Sequence, residues 1–81
     1  KMKEYAVVYI KNCEECGRDY YTAGSTISEI VHELIDELNR YNIDCEYITI
    51  FDVNDEEDIH YFKVLNICGY YVLSEKNLLM F

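Results

Sequence analysis

The residues best suited to chemistry in this chain are Cys13 and Cys16, separated by Glu14 and Glu15 and followed by Gly17. A gap of two residues lets both thiolates point at one soft ion, and glycine permits a sharp backbone turn after the second ligand. A closed tetrahedral zinc site needs two further donors. The sequence offers Cys45 and Cys68 singly, with His32 and His60 besides. The competing reading of Cys45 and Cys68 is as small core residues, the usual state of a free cysteine.

Carboxylates are far more numerous. Sixteen acids face seven lysines and arginines, a net charge of −9. Residues 1–18 and 59–81 each sum to +1, so the whole excess, −11, lies in residues 19–58. Two groups stand out there: Glu29, Glu33, Asp36 and Glu37 at helical spacing, and the dense run of Asp52, Asp55, Glu56, Glu57 and Asp58. Rows of carboxylates can imitate a phosphate backbone and fill a cationic groove. Such a surface attracts a basic protein and repels nucleic acid and anionic lipid, so neither direct nucleic-acid binding nor membrane binding is expected.

Catalytic patterns are missing. The acidic run lacks the alternating ligands and central glycine of a calcium loop. Ser25, Ser28 and Ser74 have no activating motif, and no glycine pattern cradles phosphate. His32, with Glu29 and Asp36 one helical turn to either side, reads as a solvated histidine, and His60 is no more telling. The chain is therefore expected not to be an enzyme.

The elements that must position these groups follow from periodicity. With 51% hydrophobic residues the chain can bury a core, and its 81 residues suit a single domain over 1–81. Residues 1–11 read as a strand and not as a signal peptide, and no run of apolar residues is long enough to span a membrane. The compartment is expected to be cytoplasmic, with the thiols mostly reduced. Tyr5–Ile10 is apolar on both faces and predicts a central strand. After a polar break at 12–19, Tyr20–Ala23 predicts a second strand, ended by Gly24.

Thr26 and Glu29 form a capping-box signature. Ile27, Ile30, Val31, Leu34, Ile35, Leu38 and Tyr41 then mark one buried helical face, and Asn42 suits the left-handed residue that ends a helix. Asp44–Val53 predicts a strand, parallel to its predecessor if strand, helix and strand share one sheet. Asn54 or Asp55 can cap a short second helix through Ile59, Phe62 and Leu65, stopped by Gly69. Tyr70–Leu73 and Leu78–Phe81, joined by residues 74–77, predict a closing hairpin. The expected fold is α+β: a single mixed sheet in the order β-β-α-β-α-β-β, with one long amphipathic helix and one short helix on one face.

Three resemblances rank the functions. In size and charge the chain resembles the small inhibitors that phages direct against nucleic-acid-binding defence enzymes, anti-CRISPR proteins among them. That likeness implies a non-catalytic acidic module inhibiting a basic nucleic-acid-binding protein. Nine tyrosines, too many for so small a core, agree with an interface. The segment Cys13–Gly17 resembles a zinc knuckle, which implies a zinc-stabilised domain closed by Cys45 and Cys68. A Cys-x-x-Cys pair after a first strand is also similar to the thioredoxin-like oxidoreductases. In those, a helix N-terminus activates the thiol. Here the helix cap, Thr26, lies ten residues beyond Cys16, Glu14 and Glu15 oppose a thiolate, and the facing proline of that family is absent. The acidic module ranks first, the zinc domain second and the redox domain third. Without zinc, no cofactor is expected. An exposed edge strand at Leu78–Phe81 would allow a homodimer.

Overall fold

The computed structural model describes residues 2–76, in the order β1 (Tyr5–Lys11), β2 (Glu14–Tyr20), α1 (Ile27–Tyr41), β3 (Tyr47–Asp52), β4 (Asp55–Ile67) and β5 (Tyr70–Lys76). The strands form one sheet ordered β2-β1-β3-β4-β5, and every neighbouring pair is antiparallel. The expected order and the mixed sheet are both corrected. β1 lies between β2 and β3, so the crossover through α1 skips a strand, and the two strands it links run parallel without touching.

The expected second helix is strand β4. Ile59, Phe62 and Leu65 fit helical spacing, but the same stretch also alternates. Ile59, Tyr61, Lys63, Leu65 and Ile67 share one face; His60, Phe62 and Val64 share the other. Two short-range turns take the acids that suggested a helix start. The Asn54 amide donates to Asp52 Oδ1 at 3.0 Å and the Glu57 amide to Asp55 Oδ1 at 3.0 Å. Gly69 ends a strand, not a helix. Cys68 and Gly69 take φ of 52° and 87° between paired Ile67 and Tyr70, the positive-φ pair of a type I′ hairpin.

The first hairpin turns in the same way, with Asn12 and Cys13 at φ 54° and 63° between paired Lys11 and Glu14. This moves β2 to Glu14–Tyr20 from the expected Tyr20–Ala23. Its charged sequence hid it, because an edge strand has no face that must be apolar throughout. Cys16 is the extra residue of a bulge, since Tyr9 pairs with Gly17 and Ile10 with Glu15. β3 is shorter than the expected Asp44–Val53, and β5 continues through Ser74, Glu75 and Lys76, where a turn was expected. The second arm of the expected closing hairpin, Leu78–Phe81, lies outside the described residues.

Helix α1 follows its sequence signals. Thr26 Oγ1 accepts from the Glu29 amide at 3.2 Å, Glu29 Oε1 accepts from the Thr26 amide at 3.0 Å, and Asn42 ends the helix at φ 51°. Ile30, Leu34 and Leu38 are fully buried against one sheet face, where Tyr5, Val7, Tyr9, Ile48, Ile50 and Phe62 meet them. Tyr41, expected on this buried face, is 65% exposed. Asn39 fixes the helix to the sheet edge: its amide donates to Tyr71 O at 2.9 Å and accepts from Tyr71 N at 2.7 Å, as a neighbouring strand would. Among the described residues no helix covers the opposite sheet face.

Candidate partner-binding face

The face of α1 turned away from the core carries the first group of predicted carboxylates. Glu29, Glu33 and Glu37 succeed one another at four-residue spacing, a rise of about 6 Å per step, with Asp36 beside them. Glu29, Glu33 and Asp36 are exposed and Glu37 half-buried. Glu29 is held by the capping box, whose backbone hydrogen bond lowers its pKa. Glu33, Asp36 and Glu37 join no ion pair among the described residues. Among the described residues, Lys3 pairs with Asp58, Lys11 with Asp44 and Arg18 with Glu15, while Arg40 lies 5.9 Å from the Tyr41 ring.

The second group divides. Asp55, Glu56 and Glu57 are exposed at the start of β4. Asp52, the last residue of β3, is 5% exposed and accepts from the Asn54 amide of the β3–β4 turn. Asp58 sits in a polar cluster, where it accepts from Lys3 and from the Tyr5 hydroxyl at 2.7 Å and lies 2.8 Å from His60 Nε2. Lys3 above all, then Tyr5 and His60, holds its carboxyl down to about 2. Burial, then the same carboxylate, pushes the Tyr5 phenol up to about 12. Asp52 and Asp58 therefore serve the fold, and the structure leaves seven of the nine predicted acids on its surface.

One acid missed in the sequence joins the α1 group. Asp19, on edge strand β2, accepts from the Tyr9 hydroxyl at 2.9 Å. Tyr9, Asp19, Glu37 and Asp44 border a groove of about 300 Å³ between helix and strand edge. Burial, then Glu37 and Glu33, raises the neighbouring Tyr21 phenol to about 12. The alternation of β2 was the signal, and it became readable only once its register with β1 was known.

The four thiols do not gather in one place, although Cys16 lies near enough to Cys45 to act on it electrostatically. Cys13 is exposed in the first hairpin turn, Cys16 exposed on the β2 bulge and Cys68 exposed in the β4–β5 turn, whereas Cys45 is buried. Burial raises the Cys45 thiol to about 11. Among the described residues no group of three or more histidine, cysteine, aspartate or glutamate side chains is arranged to hold a metal ion. His32 is exposed on α1, apart from His60.

The uncovered sheet face differs in charge. Its cross-strand pairs place Lys63 beside Tyr47 and Lys76 beside Tyr61, and the Arg18 guanidinium lies 5.8 Å from the Phe51 ring. Cations and aromatics thus lie opposite the α1 carboxylates. No described helix is long and apolar enough to cross a membrane. Comparison with family models, curated proteins and solved structures finds no match to the chain.

Proposed function

We propose that the protein is a non-catalytic binding module that presents the outer face of α1 to a basic protein. Glu33, Asp36 and Glu37 make the principal contacts, and Asp55, Glu56 and Glu57 provide a second anionic patch. The observation that carries this reading is the absence of internal neutralisation: the three α1 carboxylates have no cationic partner among the described residues. Solvated, uncompensated charge on a helix steers a partner of opposite sign, and the helix backbone is already ordered before it docks. The partner class that fits best is a protein whose cationic groove normally receives a phosphate backbone. An acid at every helical turn fits such a groove, and occupying it would make the module an inhibitor.

Photo-crosslinking tests the surface. A benzoylphenylalanine replacing exposed His32 is expected to crosslink a protein from the source cells, and added duplex DNA should compete that product away. The same probe replacing Tyr20, on the opposite sheet face, should not give it. A product formed equally from both positions, or one from His32 that DNA leaves unchanged, would overturn the proposal.

A further inference from the structure

The uncovered sheet face contains a depression unrelated to the α1 carboxylates. It arises from a size mismatch on the pleated surface. Thr49 is short, and around it stand Tyr61, its cross-strand partner, Tyr47 two residues away on the same face, and Ile10, which pairs with Tyr47. Larger neighbours around a small residue leave a hollow of about 340 Å³, within the range of small-molecule sites. Its walls are almost wholly apolar. Besides the hydroxyl-bearing Thr49, Tyr47 and Tyr61, its lining includes Lys76, which pairs with Tyr61 across the β4–β5 ladder, and the exposed Cys13.

We infer that this hollow binds a small amphipathic anion, an aromatic or branched apolar body bearing one carboxylate or sulfonate. The apolar body fits between the tyrosine side chains, which supply flat apolar area at little cost in conformational entropy. Charge complementarity selects the head group. Lys76 forms no ion pair among the described residues and is the cation at the rim, whereas no carboxylate lines the hollow. A cationic ligand would meet Lys76 unfavourably, and a neutral one would leave it without a partner. This site is independent of the proposed function, because Ile10, Tyr47, Thr49, Tyr61 and Lys76, which form its open side, lie on the sheet face opposite α1, with only the core residues Ile48 and Phe62 beneath them.

The probe is 8-anilinonaphthalene-1-sulfonate, with neutral N-phenyl-1-naphthylamine for comparison. The folded wild-type chain should bind the sulfonate with one-to-one stoichiometry. Saturation should slow iodoacetamide alkylation of Cys13, followed by peptide mass spectrometry, while Cys68 on the other hairpin keeps its rate. Thr49→Phe fills the hollow and should abolish binding of both dyes. Lys76→Glu, a surface change, should weaken the sulfonate about tenfold and leave the neutral dye unchanged. Unprotected Cys13 at saturation, sulfonate binding unaffected by Lys76→Glu, or full binding by folded Thr49→Phe would each overturn the inference. Because Lys76→Glu leaves the core beneath α1 untouched, the test stands even if Thr49→Phe fails to fold.

Discussion

Replacing Leu34 with alanine is expected to destabilise the domain by about 3 kcal/mol and to lower its Tm by roughly 12–24 °C. Leu34 lies at the middle of α1 with no exposed surface, and the residues of the sheet beneath it, Val7, Ile48 and Ile50, are equally buried. α1 is the one helix among the described residues, so this contact has no substitute. Truncation removes the transfer free energy of the lost carbons and leaves a cavity that a pleated sheet cannot close. Leu65, half-buried on the uncovered face, makes a control. Leu65→Ala should cost only about 1 kcal/mol, because solvent already reaches that side chain. Equal losses in thermal unfolding would mean that α1 is not the main cover of the core.

The second large effect concerns Asp58. Asp58→Asn is expected to cost about 2 kcal/mol at pH 7, whereas Glu56→Gln and Glu57→Gln should each stay within about 0.5 kcal/mol. The sign of the pH dependence follows from a carboxyl held at about 2 in the fold against an ordinary value of 3.8. Well above 3.8 it is ionised in both states, and its contribution to stability is complete. As pH falls toward 2 the unfolded chain takes up the proton first, so stability declines through that window and the contribution is lost once the folded carboxyl is protonated too. Denaturant titrations between pH 5 and 2 should therefore show a steeper loss for wild type than for Asp58→Asn. Parallel losses would show that Lys3, Tyr5 and His60 do not stabilise the carboxylate.

The sequence was legible where one physical signal acted alone. Thr26, Glu29 and the apolar face from Ile27 to Leu38 define α1 from cap to end, because capping chemistry and helical period agree. Tyr5–Ile10 was clear because an interior strand is apolar on both sides. Misreading began where two periods fitted the same residues. Ile59, Phe62 and Leu65 satisfy helical spacing, and an acidic start favours a helix, yet β3 offers a hydrogen-bonding edge that β4 fills along Tyr47–Phe51. Pairing partners distant in sequence decide such cases, and local pattern does not contain them. β2 was hidden for the opposite reason, since an exposed edge strand needs no pattern.

The candidate site divides along the same line. The α1 carboxylates could be located because helical geometry fixes their face. Asp52 and Asp58 could not be separated from Asp55, Glu56 and Glu57, because the difference lies in Asn54, Lys3, Tyr5 and His60 around them. The cationic, aromatic character of the other sheet face depends on the registers of β3, β4 and β5, none of which follows from composition. Composition by segment places the excess negative charge in residues 19–58 but not on any one face. The fold separates the signs in space, with carboxylates on the helix and Lys63 and Lys76, in no ion pair among the described residues, across the sheet.

The central claim, that the solvent face of α1 is the partner-binding surface, is tested most directly by affinity as a function of salt. Kd for the protein captured at His32 should be measured from low to high ionic strength with wild type and with E33K/D36K/E37K, both shown by circular dichroism to be folded. Wild type should bind progressively more weakly as salt rises, and the triple variant should lose about a hundredfold in affinity at low salt and most of the salt dependence. An affinity and salt slope unchanged by reversing the three charges would contradict the account.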